Sequence, residues 1–244
     1  MAAVRNRWFA REPKPNSHAY VFCLPYSGCG ASMYRQWPEV MHGVEMCAVQ
    51  PPGRENRLRE PAFDTYEELA EALIPQLLPY LDRPFAFFGH CASSLVGYEV
   101  TVQLLGRGLP LPTRLFVSSQ VAPHQGPHGR FLDMTDEQLA DELSLLITEM
   151  GGNPRPDIID VAMGTLLADI AANRRYKPAE PTVLPVPITA LSWREDKEVP
   201  GVLMGGWSEC GEVAFRELEG GHYRFISAPE TLKDELRRGM GAVV

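Results

Sequence analysis

The sequence predicts an α/β protein, a mostly parallel sheet with helices wound over it. Three observations carry this. Short apolar runs, continuous rather than alternating, suit strands buried on both faces. Longer stretches of helical period separate them, the rhythm of a doubly wound sheet. The 244 residues, 45% hydrophobic and 22% charged, suit one medium domain with a sizeable core.

In chain order, strands are expected over Tyr20–Leu24, Val44–Gln50, Phe85–Phe88, Arg114–Ser118, Ile188–Ser192 and Val213–Leu218. Helices are expected over Met33–Met41, Tyr66–Tyr80, Leu95–Leu105 and Pro229–Met240. The rhythm breaks between His128 and about Pro178, where only helical patterns occur, over Asp136–Glu149 and Asp157–Arg174. Thr135 ahead of Glu137 and Gln138 makes a helix start. A helical insert of this kind, about residues 128–178, is expected to be a lid, because α/β sites sit at the carboxyl ends of the strands, where such inserts emerge. An extra pair of crossover helices is the plainer alternative. "KPAEPTVLPVP" is a proline-rich return segment rather than a domain linker, so a single domain over 1–244 is expected.

Composition narrows the function. A net charge of −8 gives no support to nucleic-acid binding. The N-terminal stretch has no apolar core of a signal peptide, and no window approaches the roughly 18 apolar residues of a membrane helix. Five scattered cysteines make a poor disulfide framework and suggest a reduced, cytoplasmic chain. No CxxC pair and no HExxH occurs, so zinc is not expected. Oligomeric state is left open, a monomer included.

The chemistry concentrates in "RPFAFFGHCASSLVGYEV", Arg83–Val100. A strand run, a small-residue turn and a helix pattern follow one another, as in a Gly-x-Ser-x-Gly nucleophile elbow. Cys91 stands where the serine would be and Ser93 where the last glycine would be. At a helix amino end, dipole and free amides favour an anion, which populates a thiolate. Cys91 is therefore the candidate nucleophile, whereas Cys23 and Cys47, inside strand runs, are structural. In α/β hydrolases the order is nucleophile, acid, histidine. His222 in "LEGGHYRF" follows a strand and precedes the last helix, and is the candidate base. Asp196, after the strand Ile188–Ser192, is the candidate acid ahead of its neighbour Glu195. His90 packs or lines the pocket, His124 rims the site, and His18, His42 and His128 are peripheral. Oxyanion donors are expected from the amides of Ala92, after the nucleophile, and Ser27 in "CLPYSGCGAS". Gly28 and Gly30 allow close backbone approach there.

Together, "FCLPYSGCGASMYRQW", "VEMCAVQPPGRENRLREPAF", "RPFAFFGHCASS", "LFVSSQVAPH" and "GGH" resemble the type II thioesterases of polyketide and non-ribosomal peptide biosynthesis. The resemblance spans most of the chain. It implies an α/β-hydrolase fold with a helical lid, no bound cofactor, and substrates carried as thioesters on the phosphopantetheine arm of acyl or peptidyl carrier proteins. The family's nucleophile falls on Cys91, its acid on Asp196, its histidine on His222 and its oxyanion donors on Ser27 and Ala92. Three departures stand out: cysteine for serine at 91, serine for glycine at 93, and Trp193 for a small residue before the acid loop, where it would narrow the pocket or shift the acid.

The first departure bears on the reaction. Cysteine versions resemble acyl- and aminoacyltransferases that shuttle a group between carrier proteins. Serine turns a thioester into an oxoester, a downhill step. Cysteine turns it into another thioester, nearly isoenergetic, with a better leaving group. The expected function is an acyl- or aminoacyl-thioester enzyme with an S-acyl-Cys91 intermediate, passing the group to a second carrier thiol or to water. Plain hydrolysis by an editing thioesterase, or a catalytically idle scaffold that binds carrier proteins, are the alternatives; hydrolysis of small esters or peptides is a further reading.

Overall fold

The computed structural model describes residues 6–241. Residues 1–5 and 242–244 of the expected domain, with the start of the N-terminal stretch read above, lie outside the described residues. A seven-stranded sheet runs in the order β2-β3-β1-β4-β5-β6-β7. The strands are β1 Ala19–Cys23, β2 Val40–Met41, β3 Val44–Ala48, β4 Phe85–His90, β5 Arg114–Ser118, β6 Leu184–Trp193 and β7 Gly211–Leu218. All pairings are parallel except β2 on β3. The mostly parallel sheet flanked by helices bears out the expected α/β-hydrolase class.

The helices are α1 Tyr66–Leu77, α2 Ala92–Gly106, α3 Asp136–Glu149, α4 Pro156–Arg175 and α5 Glu230–Gly239. Thr65 caps α1 by accepting from the Glu68 amide at 3.2 Å. Thr135 and Gln138 form a full capping box on α3, the start expected from the sequence. Helix α2 is buried along most of its length, so its apolar residues surround the axis instead of forming a stripe. Phe22, Phe85, Phe87, Phe88 and Phe116 make the aromatic centre of the sheet.

One expected helix is absent. Met33–Met41 is a short 3-10 turn over Ala31–Gln36, followed by strand β2. Pro38 explains the break, because it drives the preceding residue out of helical space, and Trp37 is extended at φ −79°, ψ 143°. The chain then turns back through His42 (φ 48°) and Gly43 (φ 82°), a two-residue hairpin with both centres left-handed. Helix α1 also stops earlier than Tyr80: Pro79 follows, and residues Leu78–Tyr80 tighten into a 3-10 turn.

Helices α3 and α4 lie between β5 and β6, with 3-10 turns at Pro123–Gln125 and Arg130–Asp133. They are bound to the body by charged contacts. Arg54 donates to both Asp169 oxygens of α4, at 3.0 and 2.8 Å, and to the Cys29 carbonyl at 3.0 Å. Asp169 also accepts from the Gly28 amide at 2.9 Å.

Candidate active site

Strand β4 ends at His90, and the chain reverses into α2 through Cys91 at φ 57°, ψ −136°. That conformation is strained for a residue with a Cβ, and it is held from both sides. The Cys91 amide donates to the Ser118 carbonyl at 2.8 Å. Gly89 lets the helix start pass close by: a Cβ there would lie 2.4 Å from the Ser93 carbonyl oxygen. Ser93, in place of the elbow's last glycine, is accommodated and used. Its hydroxyl accepts from the His90 amide and donates to the His90 carbonyl, both at 3.0 Å.

His222 opens a 3-10 turn after Gly220 and Gly221. Its Nδ1 lies 2.8 Å from Asp196 Oδ2. The Cys91 side chain is near enough to the imidazole to favour its charged form. All three groups are buried. Asp196 sits in a turn closed by its own amide on the Trp193 carbonyl, and the Glu195 amide donates to Gly220, so the acid loop and the histidine loop are stitched together. Glu195 points outward. Asp196 also accepts from Ser119 Oγ at 2.6 Å and from the amides of Glu198 and Val199 at 2.8 and 3.2 Å.

These contacts set the charges. Burial alone would raise the Asp196 carboxyl; the hydrogen bond and charge of His222, with the Ser119 hydroxyl and Glu198 amide, hold it well below the carboxylate range. Burial alone would lower His222; Asp196 and Cys91 outweigh it and push the imidazole up to about 10. Burial pushes Cys29 and Cys210 up to about 12 and Cys23 and Cys47 higher still, which makes them inert as nucleophiles. All five cysteines are free and buried.

Ser27 and Ala92 line one small cavity beside the elbow. Ala92 opens α2, where the first amides have no acceptor within the helix. The Ser27 amide has no acceptor among the described residues. Gly28 follows at φ +76°, and a Cβ on it would press at 3.2 Å on Leu143 and Leu166.

Trp193 neither narrows the pocket nor displaces the acid. It is fully buried beneath the site, donating its indole N–H to Ser118 Oγ at 3.0 Å. His90 shares that hydroxyl at 2.8 Å and stacks on Phe225 at 3.9 Å. Burial and the neighbouring His222 keep His90 neutral. His124 lies 3.4 Å from Glu209.

Sequence reasoning missed three groups around the histidine. Tyr26 Oη is 3.3 Å from His222 Nε2. Glu198 Oε2 is 3.4 Å from the same nitrogen. Ser119 supports Asp196. Glu198 also pairs with Arg130 at 2.7 Å, Arg130 with Glu142 of α3, and Tyr223 donates to Glu142 at 3.0 Å. The only signal for Glu198 was its place two residues beyond Asp196 in "REDKEV".

A family model described as a thioesterase domain matches residues 19–237. The chain belongs to the thioesterase family. It is 33% identical to the AMB antimetabolite synthetase AmbE of Pseudomonas aeruginosa over 96% of this chain, but spans only 11% of that protein. It is 30% identical to thioesterase PikA5 of Streptomyces venezuelae, covering 88% of this chain and 79% of PikA5. The structure of the type II thioesterase BorB from the borrelidin biosynthetic cluster superposes with a TM-score of 0.80 at 26% identity, covering 96% of this chain and 97% of that one. The expected resemblance to type II thioesterases therefore holds at family level and in the fold. Among the described residues, no helix of this thioesterase is long and apolar enough to cross a membrane.

Proposed function

We propose that this thioesterase acts on acyl or aminoacyl thioesters held on carrier proteins, with Cys91 as nucleophile, His222 as base and Asp196 as its orienting acid. The Cys91 sulfur bonds to the thioester carbon. The oxyanion takes hydrogen bonds from the amides of Ser27 and Ala92. As the carbonyl re-forms, the bond to the pantetheine sulfur breaks, and that thiolate takes the proton held by His222. An acceptor thiol or water then gives its proton to His222 and attacks the S-acyl carbon. Cys91 leaves as thiolate.

The observation that carries this reading is a buried His222–Asp196 pair at 2.8 Å, with a strained elbow cysteine near enough to favour the charged imidazole. An idle scaffold needs neither a raised histidine nor a depressed carboxylate in its interior, where burial opposes both charges. The chain runs 1–244 as one domain in this reading, and the segment from about 128 to 178 is its lid. Closure is consistent with the Arg54–Asp169 pair and with the Glu198–Arg130–Glu142 ties. The reaction belongs in the cytoplasm, where thiols stay reduced.

Transfer to a second thiol is favoured over hydrolysis, because a thioester intermediate keeps its free energy for the next exchange. Incubating a loaded carrier with a second, empty carrier tests this. Appearance of the acyl group on the second carrier supports transfer. Release of free acid without loading of that carrier overturns it in favour of the hydrolysis that the thioesterase family name implies.

A further inference from the structure

Two carboxylates flank the His222 ring. Asp196 Oδ2 takes Nδ1 at 2.8 Å. Glu198 Oε2 lies 3.4 Å from the other nitrogen, Nε2, and the Tyr26 hydroxyl lies 3.3 Å from it. A triad needs a carboxylate on Nδ1 and none on Nε2. The second one is nonetheless enclosed with the ring: the Glu198 side chain is 13% exposed. It is also held in place. Glu198 Oε1 accepts from Arg130 at 2.7 Å, and Arg130 pairs in turn with Glu142 of α3. The Glu198 amide donates to Asp196 Oδ1 at 2.8 Å, and its carbonyl lies 3.3 Å from His128 Nε2.

The cluster carries an excess of negative charge. Asp196, Glu198 and Glu142 are three carboxylates, and among the described residues Arg130 is the one permanent cation in contact with them. Enclosed charges need partners, so the cluster favours a second cation. His222 is the group that can supply it. Burial opposes that charge, while Asp196, Cys91 and Glu198 favour it and push the imidazole up to about 10. The remaining titratable neighbours of the ring are neutral. His90, with its ring 4.6 Å away, is kept uncharged by burial and by His222. Tyr26 and Tyr223 are phenols that burial raises well above their ordinary range.

We infer that Glu198 is a positioning residue, which holds a proton on His222 Nε2 in the resting site so that the proton is in place for the departing pantetheine thiolate. The inference rests on Cys91 being the nucleophile and His222 its partner. The proton stays on Nε2 while the Cys91 sulfur bonds to the thioester carbon. It passes to the pantetheine sulfur as the carbon–sulfur bond breaks, and His222 is left neutral. The acceptor thiol or water then returns a proton to Nε2, beside the same carboxylate. Arg130 and Glu142 lie between β5 and β6, so the helical segment there sets where Glu198 rests.

The test is a nitrogen NMR titration of the full chain labelled at histidine, with His222 assigned by its loss in His222→Gln. Glu198→Gln is isosteric and can still accept from Arg130, so it removes the charge and keeps the packing. The His222 midpoint, about 10 in the wild type, is expected to fall by about one pH unit, the lower end of what an opposite charge at this range does. The alkaline limb of single-turnover acylation, read as adduct mass on Cys91, is expected to fall with it. Glu142→Gln removes a carboxylate from the same arginine without touching the ring, and is expected to shift both by roughly a third as much or less. A midpoint unmoved in Glu198→Gln overturns the role and leaves the nucleophile standing, as does an equal shift in the two variants. A shifted midpoint with an unshifted alkaline limb overturns the proton's part in acylation. No adduct on Cys91 from a loaded carrier overturns the nucleophile itself, and this inference with it.

Discussion

Replacing Asp196 with asparagine probes the site most sharply, because four donors converge on that side chain: His222, Ser119 and the amides of Glu198 and Val199. Two amides point at Oδ1, so the asparagine carbonyl settles there. Its NH2 group then faces His222 Nδ1 and Ser119. An NH2 donor at Nδ1 forces the imidazole proton onto Nε2, the face that must accept the Cys91 proton. Hydrogen bonds to charged groups are worth about 1.5–3 kcal/mol each, and two are lost, to His222 and Ser119. A loss of roughly 10³–10⁴ in acylation rate follows, about 4–5.5 kcal/mol, in line with the wrong-tautomer effect in serine triads. Stopped mixing with a loaded carrier, followed by intact mass of Cys91, measures it. A variant that acylates within tenfold of wild type refutes the assigned role.

The same substitution has a pH signature. Asp196 is held below its ordinary 3.8, so its stabilisation is present above that pH and disappears as pH falls through the folded value. His222 is raised from 6.5 to about 10, so its stabilisation is complete below pH 6.5 and is lost as pH climbs to about 10. The wild-type advantage over Asp196→Asn in urea unfolding is expected to be largest between these limits, about pH 4 to 6.5, and to shrink toward pH 10. A difference independent of pH over that alkaline range contradicts the His222–Asp196 coupling.

Other substitutions test the frame. Gly89→Ala puts a Cβ 2.4 Å from the Ser93 carbonyl oxygen and is expected to cost about 3 kcal/mol, a fall in Tm of roughly 6–12 °C; an unchanged Tm contradicts the elbow geometry. Ser93→Gly restores the usual motif yet removes the hydrogen bonds to His90, so it is expected to destabilise by about 1–2 kcal/mol in urea, and a gain in stability refutes that role for Ser93. Arg54→Ala leaves the half-buried Asp169 with only the Gly28 amide and is expected to cost about 2 kcal/mol; a loss below 1 kcal/mol in the same assay shows the α4 contact to be idle.

Six strands and the helices α1 to α5 were legible because each is a local pattern bounded by a local signal. Phe85–Phe88 is continuous and apolar, and Thr135 with Gln138 caps α3. Met33–Met41 failed because its apolar spacing looks helical while Pro38 and the His42–Gly43 turn decide otherwise. Of the proposed site, Cys91, Asp196 and His222 could be named as candidates because chain order constrains them. Tyr26, Ser119 and Glu198 could not be, because their contacts with His222 and Asp196 are tertiary and leave no spacing to read. Trp193 looked like an obstacle beside the acid loop; in the fold it is a buried strut under Ser118.

The central claim is that Cys91 carries the acyl group between two exchanges. The most direct test is to quench the protein with a loaded carrier at acid pH, digest it and map the adduct by mass. The account predicts a thioester on the peptide containing Cys91, discharged when an empty carrier is added before the quench and absent in Cys91→Ala. Turnover of the loaded carrier by Cys91→Ala at the wild-type rate, with no adduct on residue 91 in either protein, would contradict it.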